Sequence, residues 1–159
     1  MSGTRVLVAM DGSENSAMAL KYYVESIHKP GNYVILAHCA EYLNLNYGMV
    51  SLSQADPSVV ERTINEEEKR IHTLIEHLNN ILKTHNMTGE VVRIQGGDPG
   101  HQIVEKTKEM NVDFLVTGSR GLGKLRRTLM GSVSDYLVHH AHIPVMVYKH
   151  TDKVHDKHQ

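Results

Sequence analysis

Residues 112–132 open with Val112-Asp-Phe-Leu-Val116, pass through Thr117 to Gly118-Ser-Arg-Gly121, and nine residues later reach Gly131-Ser132. The apolar run suits a buried strand, and Gly118 stops it. Beyond the glycines, Ser132 is expected to cap a helix. Asp135 would complete a capping box, and Val133, Tyr136, Leu137 and Ala141 recur at helical spacing. The stretch therefore reads as strand, glycine loop, helix. Glycine allows backbone to approach an anion closely or to take positive φ, while a helix N-terminus presents unpaired amides and the positive end of its dipole. The combination reads as a phosphate cradle. Two better-known phosphate motifs fail on single residues. Gly118 to Lys124 matches Gly-x4-Gly-Lys, but Leu125 stands where a P-loop needs a hydroxyl for magnesium. Gly121-Leu-Gly123 is followed by Arg126 where the dinucleotide fingerprint needs its third glycine.

The same grammar repeats along the chain. Arg5-Val-Leu-Val-Ala-Met10 is a short apolar strand running into Asp11-Gly12-Ser13, a turn and N-cap. Ala17, Leu20, Val24 and Ile27 then trace a helical face that Pro30-Gly31 ends, and a second strand is expected at Tyr33 to Cys39. Residues 41–55 are irregular. Asp56-Pro57 opens a long helix with Ile64, Ile71, Leu74, Ile75, Leu78, Ile81 and Leu82 as its core stripe. A third strand is expected at Glu90 to Gln95, and Gly96-Gly97-Asp98-Pro99 starts a helix that stops near Asn111. The fourth strand is Val112 to Val116, and the last is Val145-Met-Val-Tyr148. Five strands alternating with four helices predict a three-layer α/β fold, a doubly wound parallel sheet with helices on both faces. Ligands of such sheets bind beyond the carboxyl ends of the strands at the switch point. Asp11 and Gly118 both fall on that edge.

The chain has 159 residues, which suits one domain, expected over residues 1–150 with a polar, disordered tail at 151–159. A formal net charge of -1 argues against a nucleic-acid binder. The single cysteine, Cys39, has no internal disulfide partner, and no apolar stretch approaches the length that spans a bilayer, so a cytoplasmic protein without a membrane partner is expected. The acidic run Glu66 to Glu68 reads as a solvated helix face, and the twelve histidines are scattered.

Four stretches together resemble the universal stress protein family in its small, single-domain, ATP-binding form: Val8-Ala-Met-Asp11-Gly-Ser13, Leu36-Ala-His38, Gly97-Asp98-Pro99, and Gly118-x2-Gly121-x9-Gly131-Ser132. The resemblance spans nearly the whole chain. It implies an adenine nucleotide alpha hydrolase-like sheet ordered 3-2-1-4-5, with ATP, alone or with magnesium or manganese, at its edge. Carried over, Ala9, Met10 and Asp11 would lie along the adenosine, with Asp11 near the ribose or a metal, and Cys39 would meet adenine through its backbone. Thr117, Gly118 and Gly121 would line ribose and phosphates, and Gly131, Ser132 and Val133 would bind phosphate at the helix start. Arg120, inside the loop, departs from the family pattern and stands beside Lys124, Arg126 and Arg127 as a candidate phosphate contact. The second strand ends in His-Cys-Ala where family members often carry valine.

No Ser/His/Asp, Cys/His or HExxH arrangement is legible, so any ATP hydrolysis would be slow. The reading is a nucleotide-dependent regulatory module of the stress response. An ATP- or AMP-using enzyme, such as a weak ATPase or adenylyl transferase, and an interaction protein with a vestigial loop are the alternatives. In the order 3-2-1-4-5 the last strand is an apolar edge, which predicts a homodimer joined through Val145 to Tyr148.

Overall fold

The computed structural model describes residues 3–39, 56–119 and 131–149. Within them the chain runs β1 (Arg5–Met10), α1 (Glu14–Ser26), β2 (Tyr33–Cys39), α2 (Pro57–Thr84), β3 (Thr88–Ile94), α3 (Pro99–Glu109), β4 (Phe114–Gly118), α4 (Ser132–His140) and β5 (Val145–Tyr148). The strands form one sheet ordered β3-β2-β1-β4-β5, and its four pairings are all parallel. This is the doubly wound α/β sheet that the alternation of strands and helices predicts.

Strand periodicity sorts the core into two layers, because alternate side chains leave opposite faces of a strand. Val6, Val8 and Met10 join Val34, Leu36 and Val116 beneath Leu20, Tyr23, Leu78 and Leu82 of α1 and α2. Leu7 and Ala9 join Ile35, Ala37, Cys39 and Leu115 against Ile103, Val104 and Leu137 of α3 and α4. Both faces are covered, as near-continuous apolar strands require.

Helix starts and stops follow local chemistry. Ser13 Oγ accepts the Ser16 amide at 3.2 Å, Asp56 Oδ1 accepts that of Ser58 at 2.8 Å, and Asp98 Oδ1 that of His101 at 3.0 Å. α2 and α3 end alike. Asn86 and Asn111 take φ of 49° and 51°, and the next amides, of Met87 and Val112, return to the carbonyls of Leu82 and Thr107 at 2.9 Å each. That is the Schellman closure, in which asparagine tolerates the left-handed conformation.

Several boundaries differ from the sequence expectation. The fourth strand begins at Phe114 rather than Val112, because the Val112 amide is used in closing α3. The third runs Thr88–Ile94 instead of Glu90 to Gln95. Ala17 is exposed, and α1 buries Ser16, Ala19, Leu20 and Tyr23 instead. Ile64 is 55% exposed although it continues the apolar stripe of α2. Length explains this: 28 residues of helix extend about 42 Å, nearly twice a seven-residue strand. The first half of α2 therefore overhangs the sheet. The irregular stretch 41–55 and the tail 151–159 lie outside the described residues.

Candidate functional site

The register of the sheet locates a crevice. β1 and β2 stay paired to Met10↔His38, and β4 and β5 to Gly118↔Tyr148, but the register between β1 and β4 ends at Val8↔Val116. Past that pair the two central strands turn to their outer neighbours. Ala9, Met10 and Asp11 form one lip of the opening, and Thr117 and Gly118 form the other. Such divergence is the switch point at which open α/β sheets take their ligands.

α4 starts over this opening. Gly131, Ser132, Val133 and Ser134 line it, as does Cys39 from the end of β2. Ser132 does not cap the helix as its sequence suggests. Gly131 is the N-cap, with φ -62° and ψ 153°, and there is no side-chain cap hydrogen bond. With Ser132 already the first helical residue, its hydroxyl lies past the capping position, and Asp135 sits instead 3.7 Å from His139 Nδ1. The other three helices have their first amides partly satisfied by Ser13, Asp56 and Asp98. At α4 the leading amides face the crevice without that partner, the arrangement an anion satisfies best.

The glycines of the motif turn out to serve different ends. Gly131 has extended backbone that any residue adopts, so its conformation does not require glycine. Gly118 is held by the fold itself. A Cβ there would stand 2.6 Å from the Asn15 carbonyl oxygen and 3.0 Å from the Ser16 amide nitrogen, both backbone atoms of the first turn of α1. Positive φ is needed instead at Gly12, at 82°, in the turn after β1.

Asp11 is half-buried, and its Oδ1 accepts the Ser13 amide at 2.8 Å. The turn role and a place on the crevice lip are thus compatible in one side chain. Cys39 is 5% exposed, and burial pushes its thiol up to about 12, with the Asp11 charge adding to the effect. It is a protonated, unreactive wall of the crevice. Thr117 is buried, and its hydroxyl lies 3.4 Å from the Gly118 carbonyl. Arg120 and Gly121, together with Lys124, Arg126 and Arg127, lie outside the described residues.

Sequence reasoning missed Ser16, Pro99, Ile103 and Ser134, which also line the opening. Pro99 had a visible signal, since Gly97-Asp98-Pro99 starts a helix at the carboxyl edge of β3. Ser16 and Ser134 carried none. Each hydroxyl turns back to the carbonyl one turn earlier, of Ser13 at 2.9 Å and of Gly131 at 3.0 Å. The enclosed space is only about 60 Å³, far below the ~300–1,000 Å³ of a pocket that engulfs a small ligand. A wider groove of about 440 Å³, between α1 and α2, touches the crevice at Met10 and Ser16, and is lined by Leu20, Val24, Leu74, Leu78 and Ile81 together with Lys21, Glu25, His77 and His85.

The family model of the universal stress protein family matches residues 3–149. The chain belongs to the universal stress protein family. Stress response protein NhaX of Bacillus subtilis is 29% identical, with 91% of this chain and 97% of that protein covered. Universal stress protein PHOS34 of Arabidopsis thaliana is 26% identical over 93% of this chain and 62% of its own length. Among solved structures, a universal stress protein family protein of Arabidopsis thaliana with AMP bound superposes with a TM-score of 0.68 at 25% identity, covering 94% of this chain and 93% of that one. UspA of Lactobacillus plantarum, at 20% identity and a TM-score of 0.64, shares the universal stress protein fold over 92% of this chain and 98% of its own. Among the described residues no helix is long and apolar enough to cross a membrane.

Proposed function

We propose that this universal stress protein binds an adenine nucleotide, ATP among them, across the crevice between β1 and β4 and acts as a nucleotide-dependent regulatory module of the stress response. The observation that carries the reading is the start of α4, with no side-chain cap, set over the diverging ends of the two central strands. The phosphates lie at the Gly131–Ser134 amides, where peptide dipoles and unpaired donors stabilise negative charge. The nucleoside lies along Ala9, Met10 and Asp11, with Cys39 offering an apolar edge and its backbone. The AMP carried by the Arabidopsis relative of the same fold supports the nucleotide class.

Among the described lining residues Asp11 is the one carboxylate, and no group of three potential ligands converges on a metal. Magnesium or manganese would therefore arrive with the triphosphate, with Asp11 as its single carboxylate contact or, without metal, as acceptor for a ribose hydroxyl. Among the described lining residues there is no histidine, no lysine and no second carboxylate to activate the serine and threonine hydroxyls, and the Cys39 thiol is protonated, so the reading we propose is binding rather than turnover.

A homodimer through β5 belongs to the same proposal. Leu115 and Ser119 donate to the carbonyls of Pro144 and Tyr148, which sets the phase of the ladder and leaves the amides of Val145 and Val147 pointing away from β4. The outward row is a template for a second copy.

Calorimetric titration of wild type and Gly131→Val with AMP, and with ATP in the presence and absence of magnesium, tests the site. Because the backbone at Gly131 is extended, valine adds bulk there without needing a positive φ. The expected result is wild-type binding and its loss in a variant with an unchanged circular dichroism spectrum. Equal affinity in both proteins would place the ligand elsewhere.

A further inference from the structure

His38 is a buried polar group that the proposed function leaves unused. It is 5% exposed and stands at the penultimate position of β2, directly beside Met10 in the ladder. Strand alternation puts it on the face of Val34 and Leu36, toward the layer of α1 and α2, where an apolar residue would complete the stripe without desolvating an imidazole. Its Nδ1 lies 2.9 Å from the Met10 carbonyl oxygen. A carbonyl only accepts, so the Nδ1 carries the proton and donates.

The accepting carbonyl belongs to the last residue of β1, two positions past the end of the β1–β4 register. From that carbonyl a chain of contacts leads round the crevice. The next residue is Asp11, whose Oδ1 takes the Ser13 amide. Ser13 Oγ takes the Ser16 amide, and that same first turn of α1 packs on Gly118 across the opening. Holding the Met10 carbonyl thus fixes one lip directly and the other through α1.

We propose that His38 is a positioning residue: by donating Nδ1–H to the Met10 carbonyl it holds the end of β1 and the Asp11–Ser13 turn in the geometry that receives the nucleotide. The effect on affinity rests on the proposed function, whereas the effect on the turn does not. Asparagine places a side-chain N–H close to the position of the imidazole Nδ1, and leucine fills similar space with no donor. His38→Leu should weaken AMP binding about tenfold, the scale of one buried hydrogen bond. It should also speed hydrogen exchange of the Ser13 amide. His38→Asn should keep both close to wild type, an asymmetry that loss of packing alone does not produce.

The wild type supplies a reading that survives a misfolded variant, since imidazole 15N shifts must report the Nδ1–H tautomer. An Nε2–H tautomer overturns the proposal. So does a folded His38→Leu with wild-type affinity and wild-type exchange at Ser13, or equal losses in the leucine and asparagine variants. If the wild type binds no adenine nucleotide, the proposed function alone falls, and the tautomer and the Ser13 exchange rate still decide whether His38 holds the turn.

Discussion

Replacing Gly118 with alanine should destabilise the protein before any ligand is added. The added Cβ meets Asn15 O at 2.6 Å, Asn15 C at 2.7 Å and Ser16 N at 3.0 Å. All three atoms are backbone, so no rotamer change relieves them, and the first turn of α1 must back away from β4. That turn is pinned by the Ser13 cap and by buried Ser16 and Ala19. Overpacking of this kind costs about 1–3 kcal/mol. At the middle of that range the melting temperature of a chain this size falls about 4–8 °C. Thermal and urea unfolding of ligand-free protein measure it, with an unchanged urea m-value showing that the two-state comparison holds. Gly131→Ser is the control, since its backbone is extended and serine caps a helix at least as well as glycine, so its melting temperature should not fall by more than about 1 °C. A Gly118→Ala protein that melts with wild type, or a Gly131→Ser protein that falls as far, would refute the division of roles between the two glycines.

The Cys39 thiol, raised to about 12 by burial and by Asp11, should resist iodoacetamide in the native state and react once urea unfolds the chain. Because the folded state holds that proton more tightly than the unfolded one, stability should decline as pH rises beyond the ordinary thiol range toward about 12; Cys39→Ala should flatten the decline. His28 shifts the opposite way, lowered by burial and then by the charge of His85, with its Nδ1 3.1 Å from the Tyr23 hydroxyl. Its contribution is complete above the ordinary histidine range and is lost as pH falls through the lowered value, so His28→Gln should reduce the acid-side loss of melting temperature. Val147→Pro removes an amide that points away from β4, so the sheet should survive while sedimentation shifts from dimer to monomer. A wild type that sediments as a monomer at high micromolar concentration would end the dimer proposal.

Most of the architecture was legible because its signals are local. Apolar runs of four to seven residues, Asp-Pro and Ser caps, and asparagine stops each act within a short stretch of chain, and together they gave the order of strands and helices. The boundaries that slipped depend on partners distant in sequence or on the extent of the sheet. Nothing near Val112 reveals that its amide closes α3, and nothing in the stripe of α2 shows that Ile64 lies past the sheet. At the site, the glycine spacing drew attention to the right edge but could not sort its causes. Gly118 is needed because Asn15, more than a hundred residues away, comes to rest against it. Ser132 looks like a cap because serine followed by Asp135 is a common start, yet the helix begins one residue earlier. The role of His38 depends on a strand neighbour 28 residues back and is visible only once the ladder is formed.

The central claim, that an adenine nucleotide lies across the ends of β1 and β4 with its phosphates at α4, is tested most directly by titrating 15N-labelled protein with AMP and with ATP. The account predicts saturable shifts of the amides of Ala9, Met10, Asp11, Cys39, Thr117 and Gly118, and of Ser132 to Ser134 at the head of α4, at the same midpoint. Shifts confined to the groove of Leu20, Leu74, His77 and Ile81, or none at either place, would contradict it.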